Sequence, residues 1–536
     1  MQLAAKWLQE CVNSHLTCNT TERNSTWYPT RLLHLANSCG AESYVRLIHT
    51  AQEPPVGPYS TLSHRWGDIM PSQLTQAIAS ESDPRFSIVD LPKTFQEAIQ
   101  VSKKLGIRYL WIDSLCIIQS GDHRQDWYRE ASLMDKVYTH SHCNISATDA
   151  EDSTKGLFRY HTPQRVGRPR VKVNLQGMHP HNEHTECLLS DYLLWPHALD
   201  SSPLDKRGWV FQERYLAPRV LHFCRNQLFW ECQEHTVCET FPQELPLVSL
   251  HYTAAFLKSK KRNEQRIAKQ LNANNINDMD LDSWFQLVWM YTYKNLSVPG
   301  DKLVALSGVA KYVMSHVRDV YVAGMWRRNL ERALLWTQDT PGSRPLEYRA
   351  PSWSWASVDG VICHYITIRA QSLIHVEDVV LNYATEDYTG AVTGGWLDLR
   401  GSLKPMRLQE IERNGSTVWH MTVDNSIVSQ RYANTTHGDI GVSLDIGAEE
   451  VSTFDYDNVE ERLFFMPSFD LKEHYSLQCL MFRLASPEST TFERIGLVEA
   501  HTEQGRDMLL AELDEETKAH LPCLRYENGV HTIRII

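Results

Sequence analysis

Ser63, His64 and Arg65 stand on consecutive positions in Tyr59-Ser60-Thr61-Leu62-Ser63-His64-Arg65-Trp66-Gly67, so a hydroxyl, an imidazole and a guanidinium leave the chain together. A second polar set, Asp113, Ser114 and Gln119, follows directly on the apolar run Tyr109-Leu110-Trp111-Ile112. A guanidinium suits bidentate contact with phosphate, and a carboxylate suits the hydroxyls of a ribose. Arg65 and Asp113, with Ser63, His64, Trp66, Ser114 and Gln119 around them, are therefore candidates for holding a nucleotide. The same two charges can instead close on each other as an internal ion pair, with Trp66 and Trp111 as core.

Two further carboxylates are candidates for chemistry beside Asp113. Glu130 lies next to the apolar stripe at Trp127 rather than in it, so it faces either a crevice or water. Glu213 sits in Gly208-Trp209-Val210-Phe211-Gln212-Glu213-Arg214, where a buried carboxylate needs a partner. Arg214 and Arg219 are the near cations. They serve either as substrate-binding groups or as the lock of a helix turn on Glu213.

Two thiol-imidazole sets mix soft ligands in short spans: Cys11-x3-His15-x2-Cys18, and Cys224 followed by Cys232-x2-His235-x2-Cys238. Neither has the spacing of a familiar zinc knuckle. One helix face accounts for the first and buried strand cysteines for the second, so the sequence predicts a chain that folds without metal and carries no cofactor. There is no phosphate-binding Gly-x-x-x-x-Gly-Lys-Ser/Thr loop, Gly-x-Ser-x-Gly elbow or His-Glu-x-x-His helix.

The elements that must position these groups alternate. Tyr59 to Ser63 reads as a strand. Pro92 to Leu105 reads as a helix on the spacing of Phe95, Ala98, Ile99 and Leu105, with Gly106 as its stop. Tyr109 to Ile112 is then a buried strand ending at Asp113, and a helix between two buried strands implies a parallel crossover. A second helix is expected over about Gln125 to Tyr138, and a third strand over His142 to Thr148. The pattern is an α/β fold with an open, mostly parallel sheet, whose ligands bind at the carboxyl ends of the strands.

Further on, Val220 to Cys232 reads as a strand pair turning at Arg225-Asn226. Residues 257 to 282 are polar without a core face and include Lys258-Ser259-Lys260-Lys261-Arg262, read as a solvated basic helix end or as a nuclear import signal. Trp284 to Val313 and Val320 to Trp336 read as buried helix. After Pro351 the pattern turns to strands, at Trp396 to Leu403, Val418 to Val423, Leu463 to Met466, Leu477 to Leu484, Ile495 to Glu499 and Val530 to Ile536. No internal repeat appears.

The 536 residues argue for about two to four domains. Hydrophobic residues at 42% and charged residues at 22% exclude wholesale disorder and rods. A net charge of −12 works against non-specific nucleic-acid or anionic-lipid binding. No apolar window reaches the length of a bilayer span, and the N-terminus lacks a secretory signal's apolar run. Twelve scattered cysteines without a Cys-x-x-Cys pair fit reduced thiols. The expectation is a cytoplasmic protein.

Three blocks in order carry a family resemblance. The run Tyr59 to Gly67 resembles the first signature of the fungal heterokaryon-incompatibility (HET) domain. Leu91-Pro92-Lys93-Thr94-Phe95 with Gly106 to Gln119 resembles its second, and Arg207-Gly208-Trp209-Val210-Phe211-Gln212-Glu213-Arg214, with Leu216 and Arg219, its third. Downstream, Asp301-Lys302-Leu303, Ala305 to Gly308 and Arg349 to Ser357 are similar to segments common in large members. His64 departs from the tyrosine frequent there. Taken with the element pattern, the resemblance gives a HET domain over 59–240 after an N-terminal extension (1–58), then a helical region (241–345) and a β-rich C-terminal unit (346–536). It implies non-self recognition and programmed cell death, a protein partner or homo-oligomer, and a fold distantly like Toll/interleukin-receptor (TIR) domains. Some of those cleave NAD through a glutamate that stabilises an oxocarbenium-like transition state, the role then open to Glu130 or Glu213. Two other readings stand beside it: a non-catalytic self-associating scaffold, and a pathway enzyme acting on a small metabolite.

Overall fold

The first 58 residues contribute two strands to the main sheet, β1 (Arg31–His34) and β2 (Tyr44–His49), and a leading helix, α1 (Gln2–Ser14). The computed structural model describes residues 1–19, 27–35, 44–67, 70–159, 170–173, 185–189, 191–245, 279–364, 370–413, 416–423, 426–427, 440–446, 463–471, 476–486 and 490–536. These fall into two units, Met1–Ile276 with Lys294–Leu296, and Asn277–Tyr293 with Ser297–Ile536.

In the first unit, β3 (Tyr59–Ser63) is buried at every position. It is followed by β4 (Leu74–Thr75), α2 (Gln76–Ala79) and β5 (Arg85–Ser87). Helix α3 (Lys93–Lys104) then buries Phe95, Ala98, Ile99 and Val101 and stops at Leu105, before Gly106 with φ +76°. It leads into β6 (Tyr109–Trp111), which pairs in parallel with β3. Next come α4 (Asp113–Cys116), β7 (Ile118–Ser120), α5 (Gln125–Ala131), α6 (Met134–Thr139) and β8 (Cys143–Ser146). A small antiparallel pair, β9 (Arg170–Val173) with β10 (Thr185–Leu188), precedes α7 (Gly208–Leu216), β11 (Arg219–Phe223), β12 (Leu228–Cys232) and β13 (Thr236–Cys238).

The nine-stranded sheet runs β13-β12-β11-β8-β3-β6-β1-β2-β5. The expectation of a mostly parallel sheet needs correcting. Only β11, β8, β3 and β6 form a parallel centre, and the outer pairings on both sides are antiparallel. On the β11 side hairpins account for this, since β11–β12 and β12–β13 are joined by connections too short for a crossover. The strand pair read over Val220 to Cys232 is β11–β12.

The helix expected over Gln125 to Tyr138 is two. Ser132 Oγ donates to Arg129 O (2.7 Å), and this competing bond sits at the break between α5 and α6. Residues 246–278, most of the polar 257–282 stretch, lie outside the described residues.

In the second unit, helices span Met279–Thr292 and Val304–Val317, separated by a turn at Pro299–Asp301. Val320 to Trp336, read as helix, is a hairpin of Tyr321–Val322 with Met325–Trp326 followed by a short helix, Leu330–Ala333. Ala323 and Gly324 take φ of +43° and +96°, and a Cβ at Gly324 would lie 2.6 Å from Trp355, so the chain reverses where a helix would have continued. A short apolar run has no periodicity to separate buried strand from buried helix. All six C-terminal runs read as strands are strands, within a twelve-stranded sheet. No helix among the described residues is long and apolar enough to cross a membrane.

Candidate functional site

The two-residue period of β3 sorts its side chains between two covers. Ser60 Oγ meets Ser102 Oγ of α3 (2.8 Å), and the His64 ring packs edge-on to Phe95 of the same helix. Tyr59, Thr61 and Ser63 take the other face. Tyr59 donates its hydroxyl to Val137 O of α6 (2.6 Å), and Thr61 donates to Asn144 Oδ1 on β8 (3.0 Å).

At the carboxyl end of that face, Ser63 Oγ donates to Glu213 Oε2 (2.5 Å) and accepts from Asn144 Nδ2 (2.9 Å). The Tyr138 hydroxyl also acts on the Glu213 carboxylate, favouring its ionised form. Glu213 reaches this point from the second turn of α7. The start of that helix is set by Gly208, whose N–H donates to Asn295 O (2.7 Å) and where a Cβ would lie 2.4 Å from Leu296. Just before it, Arg207 Nη1 donates to His64 O.

Burial pushes the Glu213 carboxyl up to about 7, against the pull of the Arg207 cation, the bond from Ser63 and the nearby Tyr138 hydroxyl, while the charge of Asp113 adds to the rise. Near neutral pH it is therefore divided between acid and carboxylate and can take or give a proton. Burial also pushes the Tyr138 hydroxyl far above its ordinary range, so it remains a donor.

Asp113 follows β6 and opens α4. Its carboxylate accepts from Trp66 Nε1 (3.1 Å) and Ser114 N (2.7 Å) and lies 3.7 Å from His64 Nδ1. Burial lowers the His64 pKa to about 4, a shift that Asp113 opposes and Arg207 reinforces, so the ring is neutral at physiological pH. Among the described residues, His64 Nε2 and Ser114 Oγ are buried without a hydrogen-bond partner. Asp113 keeps 27% of its side chain exposed, and Arg207 and Trp66 are half-buried, so these groups lie nearer solvent than the buried Ser63–Glu213 pair.

The sequence candidates separate in space. Ser63, His64, Trp66, Asp113, Ser114 and Glu213 gather at this edge. Gln119 Nε2 donates to Asp113 O (3.2 Å) and Ile117 O (3.0 Å), supporting the loop. Arg65 is exposed, and its charge acts on Asp152. Glu130 is buried in another group of charges, where it accepts from Arg129 Nε (3.1 Å) and lies 3.9 Å from Arg31, which is itself bonded to Asp126. Arg214 is buried among Glu231 (2.9 Å), Asp205 (3.0 Å) and Asp200 (3.4 Å). Arg219 donates to Cys11 Sγ (3.1 Å) and His142 O (3.2 Å). The cation that serves Glu213 is thus Arg207 rather than Arg214 or Arg219.

Arg207, Tyr138 and Asn144 are the site members that sequence reasoning missed. Arg207 had a signal, as the first residue of the third motif block. Tyr138 stood at the end of an expected helix, and Asn144 lay inside an expected strand. Among the described residues, the group with metal-ligand spacing lies elsewhere in this unit, at Cys11, His15, Cys18 and Cys232.

Residues 59–213 match the family model described as Heterokaryon incompatibility protein (HET). The match begins at the first residue of β3 and ends at Glu213, so it holds the whole edge just described. Comparison with curated proteins found no match, and comparison with solved structures found none.

Proposed function

We propose that this HET-domain protein acts in heterokaryon incompatibility, in non-self recognition that ends in programmed cell death, and that its domain cleaves the N-glycosidic bond of NAD or a similar nucleotide. The observation that carries this reading is the buried Glu213, balanced near neutrality, bonded to Ser63 and acted on by the charges of Asp113 and Arg207. Arg207 supplies charge for the phosphates, and Asp113 supplies an acceptor for ribose hydroxyls. The ionised Glu213 stabilises positive charge developing on the ribose as the base departs with the bonding electron pair. Water then adds to the anomeric carbon, and its proton passes to the carboxylate.

The test is incubation of the purified full chain with NAD, NADP and ATP, followed by product analysis. Release of nicotinamide with ADP-ribose, lowered about 100-fold or more by Glu213→Gln in a protein of unchanged fold, is the expected result. Folded wild-type protein that releases no base from any of the three nucleotides would refute it.

A second reading, a scaffold that self-associates, draws support from an aromatic patch at α5 and α7. Trp127 packs edge-on to Trp209 and to Tyr128, which is 56% exposed, and the Arg124 guanidinium lies 4.7 Å from the Trp127 ring. On that reading Tyr128→Ala lowers the oligomeric state and leaves nucleotide turnover absent in both proteins.

A further inference from the structure

Cys11 lies in the last turn of α1, and His15 caps that helix four residues on, its backbone N–H donating to Cys11 O (3.2 Å). Cys18 follows in the short turn Thr17–Asn19, and Cys232 closes β12, more than two hundred residues later. The fold brings their four ligand atoms within 4.8 Å of one another, all buried. Cys232 Sγ is 3.4 Å from His15 Nδ1, and Cys18 Sγ is 3.9 Å from the same nitrogen. A tetrahedral zinc ion with Zn–S of about 2.3 Å and Zn–N of about 2.0 Å holds its ligands about 3.5–3.8 Å apart. The cluster is already close to that size.

We infer that Cys11, His15, Cys18 and Cys232 form a structural Cys3His site for a zinc ion, which ties α1 to the sheet.

The surroundings are those of thiolates. Arg219 Nε donates to Cys11 Sγ (3.1 Å), and the His235 backbone N–H donates to Cys232 Sγ (3.2 Å). A neutral thiol is a weak acceptor, whereas a metal-bound thiolate is held by such N–H donors. Three thiolates and one divalent ion leave a net charge of −1, and the Arg219 guanidinium sits against it. Asn19 Nδ2 donates to His15 O (2.6 Å) and Cys11 O (2.9 Å), closing the carbonyl end of α1 and fixing the turn that carries Cys18.

The neighbouring cysteines behave differently. Cys224 and Cys238 lie in an apolar cluster with Trp195, Phe229 and Leu245. The two sequence sets are thus recombined, with three ligands from the first and one from the second. The expectation of a metal-free chain was drawn from each set taken alone, and the convergence of the two removes its basis. The site is independent of the nucleotide reading.

The experiment uses the full chain expressed with zinc and purified without chelator. Elemental analysis should give about one zinc per chain, and X-ray absorption at the zinc edge should give three sulfur neighbours and one nitrogen. Cobalt substitution should give a thiolate charge-transfer band with tetrahedral d–d bands. Cys232→Ser should cut bound metal at least tenfold, while Cys523→Ser keeps it. If Cys232→Ser does not fold, the wild-type absorption spectrum alone decides. A metal-free, folded wild-type chain would overturn the site. So would a disulfide joining two of the three cysteines, or a zinc shell without sulfur.

Discussion

Ser63 donates its hydroxyl to Glu213 across 150 positions of sequence, joining the end of the central strand to the second turn of α7. Both residues are buried, so a proton on Glu213 is felt by the fold as well as by any bound ligand. The pH behaviour of the protein should report this pair directly.

The Glu213 carboxyl has an ordinary value of 4.5 and stands at about 7 when folded. Between those values the folded protein keeps a proton that the unfolded chain has lost, so this group's contribution is full below pH 4.5 and declines as pH rises through 7. Its size is about 3 kcal/mol. Glu213→Gln should therefore lose less stability than wild type between pH 5 and 8, as read by denaturant unfolding at several pH values. Parallel pH profiles would show that the carboxyl does not titrate in this window.

His64 has the opposite sign. Its folded value of about 4 lies below the ordinary 6.5, so its contribution is present above pH 6.5 and is lost as pH falls through 4. His64→Gln should flatten the acid limb of the stability profile by up to about 3 kcal/mol relative to wild type. An unchanged limb would mean the ring is charged in the fold.

Arg207 is the strongest influence holding the Glu213 value down, and Ser63 is next. Arg207→Met should move the Glu213 midpoint further upward than Ser63→Ala does, both moving it in the same direction. The check is the carboxyl 13C shift of Glu213 followed through a pH titration. A downward move in either variant contradicts the arrangement.

Asp126 and Glu130 differ in what their loss leaves behind. Asp126 is bonded to the buried Arg31 and to Ile118 N (2.8 Å), whereas Glu130 lies 3.9 Å from Arg31 and bonds the 58%-exposed Arg129. Asp126→Asn should cost about 3–5 kcal/mol by leaving Arg31 with a diminished partner. Glu130→Gln should cost clearly less. Equilibrium unfolding of the two variants distinguishes them, and the reverse order would place the main ion pair at Glu130.

Much of the site was legible because its residues stand at the ends of strands the sequence marks. Tyr59 to Ser63 and Tyr109 to Ile112 are apolar or small enough to be buried on both faces, and a crossover helix between them forces their carboxyl ends to one edge. Ser63, His64 and Asp113 follow from that without knowledge of the rest. The C-terminal strands were legible for a similar reason, since long extended runs have few alternatives once turns bound them.

Tertiary structure alone decided the partners of those groups. Arg207 rather than Arg214 acts on Glu213 because the two arginines, seven positions apart, reach different places. Arg207 precedes α7 and reaches His64 O, while Arg214 lies among Asp200, Asp205 and Glu231. The direction of a side chain on a short helix depends on where that helix docks, which local spacing does not encode. Cys232 joins Cys11, His15 and Cys18 for the same reason: hydrophobic pattern places each element in a sheet or on its face, but the meeting of side chains far apart in the chain is set by packing.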